Sequence, residues 1–213
     1  ERIDFIGARD GQTGFSVILN SIIDDRSILA YKGANDHLHS ADIQPFESDW
    51  VYLSSMMNES WETVVELISN GDYKVAFNPS NYQAKLGYKA LAKLIDCVTL
   101  LIMNREEACK FLGKDYHQNS DVPDLLKELY TLSPKIIVIT DGKMGAFAYD
   151  GVTIYHGKPI EGIKVMETTG AGDAFSATFT AAIIQGENIK TALNHAMTNA
   201  ESVIHYKGAK EIL

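Results

Sequence analysis

Positive charge is scarce in this chain. It has 19 Lys and Arg against 28 Asp and Glu, a formal net charge of −9. Such a balance lacks the basic footprint of a nucleic-acid binder or an anionic-membrane binder, although a small anion needs only a few local donors. Cysteine is nearly absent. Cys97 and Cys109 form no Cys-x-x-Cys pair and sit in an apolar run and a helical pattern. That usage reads as two reduced, buried thiols in a cytoplasmic protein. Only 5 prolines and 16 glycines occur in 213 residues, and 46% of the residues are hydrophobic. Disordered, collagen-like and disulfide-scaffold classes are thereby excluded. No apolar run approaches ~20 residues, so no helical membrane span is expected. No signal peptide is visible from Glu1 onward, a start that leaves one open. Because position 1 is Glu rather than Met, the sequence is expected to begin inside a longer chain.

What is present is enough for one large domain or two small ones, with a real core. Residues 13–20 alternate, with Phe15, Val17 and Leu19 on one side, and 27–32 is a second short run beyond Asp24-Asp25-Arg26. That pattern predicts a β-hairpin, which is marginal alone and must pair with something else. From Asp49 the pattern becomes strand, helix, strand, helix. Strands are expected at 50–54, 74–77, 97–103, 136–140, 145–149 and 152–156. Helices are expected at 61–71, 84–94, 105–112, after Asp121 as N-cap, at 171–185 and at 189–205. The continuous apolar runs at 97–103 and 136–140 suit strands covered on both faces. Alternation of this kind predicts an α/β fold, a mostly parallel central sheet with helices on both faces. Ligands in such folds bind beyond the carboxyl ends of the strands.

One stretch carries most of the chemistry: Glu167-Thr168-Thr169-Gly170-Ala171-Gly172-Asp173. Small residues let the backbone turn tightly and let another group approach. A helical pattern starts at once, so the amides of Gly170 to Asp173 are expected to face outward from a helix N-terminus, a site for a phosphate or a developing anion. Asp173 has two readings here. It is a first-turn acid that satisfies orphan amides, or it takes a proton from a substrate hydroxyl while the amides hold the transferring group. Other glycine motifs fail. There is no Gly-x-x-x-x-Gly-Lys-Ser/Thr loop and no Gly-x-Ser-x-Gly elbow, and Phe175 occupies the third glycine position of a dinucleotide fingerprint.

The segment Thr168-Thr169-Gly170-Ala171-Gly172-Asp173-Ala174-Phe175 resembles the C-terminal signature of the ribokinase-like (PfkB) carbohydrate and nucleoside kinases. Glu167 stands where that family usually has Asp, and Thr178 where it has Gly or Ala. Asn104-Arg105-Glu106-Glu107 resembles the family's Asn-x-x-Glu motif, though unaided it reads as a capping box. Thr140-Asp141-Gly142-Lys143-Met144-Gly145 resembles its nucleotide-binding turn, and unaided reads as a surface turn. Asn78-Pro79-Ser80, Gly33-Ala34-Asn35 and Lys207-Gly208-Ala209 are weaker echoes. Met197 stands where relatives often carry an Asn beside adenine, and it reads better as core than as a base contact. Asn199, two residues on, lies on the wrong part of a helix to replace it. His37 and His39 read as an exposed loop, and His195 and His205 as flanking the last helix.

The resemblance implies a kinase that uses ATP and Mg2+ to phosphorylate a sugar or nucleoside. It implies Asp173 as base, with Gly170, Ala171 and Gly172 at the transferring group. Asn104, Thr140, Gly142 and Gly145 would bind the nucleotide, and Glu107 would hold magnesium through water. Glu167 and Thr169 would be candidates for holding a monovalent cation such as K+. It further implies that 1–35 is the remnant of a β lid, able to join a homodimer, and that 36–213 is the nucleotide-binding and catalytic core. Relatives carry ~80–100 further residues before this start, an extent that fits ordinary domain sizes. A protein beginning at Glu1 is expected to fold poorly and to lack kinase activity. A non-catalytic ligand sensor on the same fold is the competing class, although a pure binding module has no need of the acid. Ser54 and Ser55 end the strand that often faces the acceptor and select no substrate by themselves.

Overall fold

The computed structural model describes residues 11–20, 26–44, 46–118, 120–159 and 168–205. They belong to two compact units, one made of 1–48 with 56–72, the other of 49–55 with 73–213. In the first, strand β1 (Phe15–Asn20) runs antiparallel to β2 (Arg26–Tyr31), with Phe15 opposite Tyr31. The expected turn residues Asp24 and Asp25 lie outside the described set. Phe15, Val17, Leu29 and Tyr31 all remain exposed, so this hairpin keeps an uncovered apolar face. Helix α1 (Asn58–Asn70) buries Ser60, Val64 and Ile68 at helical spacing. Ser60 is fully buried but satisfied: its hydroxyl donates to the Asn35 carbonyl at 2.6 Å and accepts from the Leu38 amide at 2.8 Å. A hollow of ≈ 450 Å³ lies beside Gln12, Tyr31, Gly33, His37 and His39.

The second unit holds a six-stranded sheet in the order β3 (Trp50–Leu53), β4 (Lys74–Phe77), β5 (Val98–Asn104), β6 (Ile136–Thr140), β7 (Ala146–Tyr149), β8 (Ile154–Gly157). The first four strands are parallel, and β7 and β8 return antiparallel. The mostly parallel sheet expected from the sequence is therefore present. β5 and β6 are almost wholly buried, as their unbroken apolar runs required.

One expected helix is interrupted. Instead of a continuous 84–94 there is α2 (Asn81–Leu86) and, after a turn, the short α3 (Ala92–Ile95). Gly87 at φ +76° lies between them, a conformation that stops a helix. The remaining helices match their signals. They are α4 (Arg105–Leu112), α5 (Val122–Tyr130), α6 (Ala171–Ile184) and α7 (Ile189–Val203). Asp121 caps α5, and Gly113 in the left-handed region closes α4. Phe175 and Phe179 of α6 and Ala192, Leu193 and Ala196 of α7 pack with Ala76, Leu100, Ile102 and Val138 from the sheet. Among the described residues, no helix is long and apolar enough to cross a membrane. Cys109 is buried, but Cys97 is only half-buried, so the expectation of two buried thiols holds for one of them.

Candidate active site

Asn104 and Thr140 are partners across β5 and β6, so the two chains leave the sheet at the same rung. Beyond Asn104 the chain enters α4 at once. Asn104 Oδ1 accepts from the Glu107 amide at 2.8 Å, and Glu107 Oε2 accepts from the Asn104 amide at 3.0 Å. This is a reciprocal capping box, so the local reading of the pair is realised whatever else the side chains do. Burial pushes the Glu107 carboxyl above the usual carboxylate range, and the Asn104 amide pulls against it.

Beyond Thr140 the chain closes a tight turn. The Asp141 amide donates to the Gly145 carbonyl at 2.8 Å and the Met144 amide to the Asp141 carbonyl at 2.8 Å. Its two glycines do different work. A Cβ on Gly142 (φ +48°) would meet nothing within 4 Å, so the backbone there stays open to an approaching group. A Cβ on Gly145 (φ +87°, ψ −140°) would run into the Gly157 carbonyl oxygen. Gly145 thus joins the turn to β8. Gly145→Ala is expected to cost at least about 1–3 kcal/mol in urea unfolding, because the backbone there suits glycine alone. Gly142→Ala, in the left-handed region with free space, is expected to cost about 1–2 kcal/mol at most. Equal losses in the two variants would contradict this division.

The third piece is the start of α6. Gly170 is its N-cap, at φ +85° in the left-handed region. The four amides do not all face outward as the sequence suggested. The Ala171 amide donates back to the Thr168 carbonyl at 3.3 Å. Gly172 and Asp173 follow in the first turn, where the helix itself supplies no acceptor. Both are exposed, and a Cβ on Gly172 would meet nothing within 4 Å. Thr169 and Gly170 are half-buried, while Glu167 lies outside the described residues.

What brings this helix start to the strand ends is a contact that local pattern could not give. Asn78, the residue after β4, donates from Nδ2 to Ser176 Oγ at 2.7 Å. Ser176 is 1% exposed and sits three residues after Asp173, on the same side of α6. The C-terminal end of β4 and the first turns of α6 are thereby joined, and β4 is the neighbour of β5. Tyr52 of β3 belongs to the same cluster. Although Tyr52 is 41% exposed, partial desolvation raises its pKa, the Asp173 charge adds to the rise, and hydrogen bonding by Ser176 and Asn78 opposes it. Tyr52 and Ser176 were missed at the sequence level. Ser176 carried a signal in its three-residue spacing from Asp173, but Tyr52 carried none.

Other singled-out residues fall elsewhere. Met197 packs against the core of the second unit, beside Gly157. Asn199 donates from Nδ2 to Thr178 Oγ1 at 2.7 Å. Thr178 therefore ties α6 to α7, which gives a physical use to the bulk it adds. His195 lies within α7 rather than flanking it, its Nδ1 3.1 Å from Glu187 Oε2. His37 Nδ1 is 2.9 Å from Glu59 Oε2, with His39 Nε2 3.8 Å from the same oxygen. Among the described residues, no group of three or more His, Cys, Asp or Glu is arranged to hold a metal. Lys207, Gly208 and Ala209 lie outside the described residues.

This architecture recurs in solved structures. A nucleoside kinase of Methanocaldococcus jannaschii, an archaeal member of the ribokinase family, superposes with a TM-score of 0.78 over 96% of this chain and 66% of its own, at 20% identity. The fold is thus the ribokinase-like α/β fold. An uncharacterized sugar kinase of Archaeoglobus fulgidus is 25% identical over 98% of this chain and 83% of its own length. The ribokinase of Bacillus subtilis is 28% identical over 87% of this chain and 60% of its own length. The model of the pfkB family carbohydrate kinases matches residues 2–213. The chain belongs to that family, and it spans about two thirds of the solved structure cited above.

Proposed function

We propose that this chain carries the nucleotide side and the catalytic acid of an ATP- and magnesium-dependent kinase that phosphorylates a primary hydroxyl of a sugar, in the manner of ribokinases and fructokinases. The observation that supports this most is the Asn78–Ser176 hydrogen bond, because it sets the Asp173 turn at the carboxyl edge that also carries Asn104 and Thr140. In this reading Asp173 accepts the proton of the acceptor hydroxyl at its carboxylate. The amides of Gly172 and Asp173, and the glycine backbone around them, stabilise the charge of the transferring phosphoryl group. Asn104, Thr140 and Gly142 position the phosphates, and Gly145 holds that turn in shape.

The donor set fits magnesium. One carboxylate, Glu107, stands at the end of β5 with Oε2 already engaged, which suits an ion that keeps several waters. Held there through water, magnesium would neutralise charge on the β- and γ-phosphates. A monovalent cation near Thr169 and Glu167, most simply K+, and a homodimer through the exposed hairpin face are parts of the same proposal. So is a cytoplasmic location, supported by two free cysteines. A nucleoside acceptor is the alternative within the family, and the Methanocaldococcus structure is a nucleoside kinase.

The test is transfer from ATP to a panel of sugars and nucleosides by the intact protein, with magnesium present and then chelated. Turnover with one acceptor class, lost on chelation, is the expected result. Tight sugar binding without turnover of any acceptor would favour the non-catalytic sensor instead.

A further inference from the structure

The residues that follow Asn104 and Thr140 face each other. Arg105 Nη1 stands 3.0 Å from Asp141 Oδ2, and the two side chains are 29% and 13% exposed. The guanidinium is held from a second direction as well. Its Nη2 donates to the Tyr116 hydroxyl at 2.7 Å, and its carbon lies 4.8 Å from the centre of the Tyr116 ring. A cation fixed by a carboxylate, a hydroxyl and an aromatic face differs from an ordinary surface ion pair, which contributes little. It joins two loops rather than two turns of one helix. One is the Asn104–Glu107 helix start, and the other is the 141–145 turn.

Charge gives the contact its meaning. Glu106, Glu107 and Asp141 gather at this edge, in a chain of net charge −9. A polyphosphate approaching Gly142 meets the Asp141 carboxylate one residue away. The Asp141 side chain is only 13% exposed, so losing its partner would leave a poorly solvated charge beside the open backbone of Gly142.

We propose that Arg105 is a positioning residue for the nucleotide. It locks the 141–145 turn to the start of α4, and it neutralises Asp141 where phosphates approach. This rests on the kinase reading above for its consequence, but not for the lock itself. The arrangement is particular to this pair of side chains, since it needs Arg at the second position of the Asn-x-x-Glu segment and Asp at the second position of the turn.

The experiment is a double-mutant cycle in the intact protein with Arg105→Met, Asp141→Asn and both together, read in two ways. First, Arg105→Met is expected to raise the KM for ATP ~10-fold or more without a matching rise in the acceptor KM, through the buried unpaired carboxylate. Adding Asp141→Asn is expected to recover most of that loss, because the repelling charge is gone. A double variant as weak as Arg105→Met would overturn the role through Asp141, and an unchanged ATP KM in Arg105→Met would overturn the proposal altogether. Second, amide exchange at Gly142 to Gly145 is followed without nucleotide. Arg105→Met is expected to speed it ~10-fold if the ion pair closes the turn, and unchanged exchange would overturn the lock. If the wild type transfers no phosphate while exchange still responds, the kinase reading falls and the lock stands.

Discussion

Asp173→Asn is expected to lower kcat by about 10²-fold or more, the range for losing a general base. Asparagine keeps the shape of the side chain and an acceptor oxygen at the start of α6, but it cannot take a proton at neutral pH. The structural loss should be small. Asp173 is exposed, and it has no side-chain capping bond at the N-cap. Acid at a helix start contributes about 0.3–1 kcal/mol, so the melting temperature should move by only a few degrees. The combination tells base from cap: turnover collapses while fold and ATP binding persist. Near-normal turnover in steady-state kinetics would refute the assignment of Asp173 as base.

Phe179→Ala is expected to destabilise the protein by about 3–5 kcal/mol, the usual cost of emptying a buried aromatic site. Phe179 is 0% exposed and stacks on Phe175, with ring centroids 6.1 Å apart and planes 9° from parallel. Both rings lie in the cluster that seats α6 and α7 on the sheet, against Ala76, Leu100 and Val138. Against a typical domain stability of about 5–15 kcal/mol, such a loss is large. It should appear as a lower urea midpoint at unchanged slope. ATP binding should weaken as well, because the helix that carries Gly172 and Asp173 is seated by these rings. A loss below about 1 kcal/mol would mean that the ring contact is not what holds α6 in place.

Much of the site was legible locally. Asn104 and Glu107 three positions apart, straight after an apolar run, announced a helix start at a strand end, and the capping box is there. Gly170-Ala171-Gly172-Asp173 announced an N-terminal turn, and α6 begins at Ala171. Gly87 was a further local signal, and it broke the expected 84–94 helix. Leu91, Leu94 and Ile95 are buried all the same, since burial follows side-chain pattern while continuity follows the backbone.

Local pattern alone specified the alternation of strands and helices, the identity of the two buried strands and the helix starts at Asn104 and Gly170, though not which amides there stay free. Each of these depends on residues within one or two turns of each other, so periodicity and capping chemistry suffice. Which strand ends meet is settled by the assembled sheet. Asn78 reaches Ser176 across 98 positions, Tyr52 comes to the Asp173 turn from β3, and Arg105 finds Asp141 because β5 and β6 run parallel in register. Such contacts are fixed by sheet order and crossover packing, which no local pattern specifies. The scarcity of positive charge is sharpened by the same geometry. Few cations suffice if one of them, Arg105, is held where the phosphates are proposed to lie.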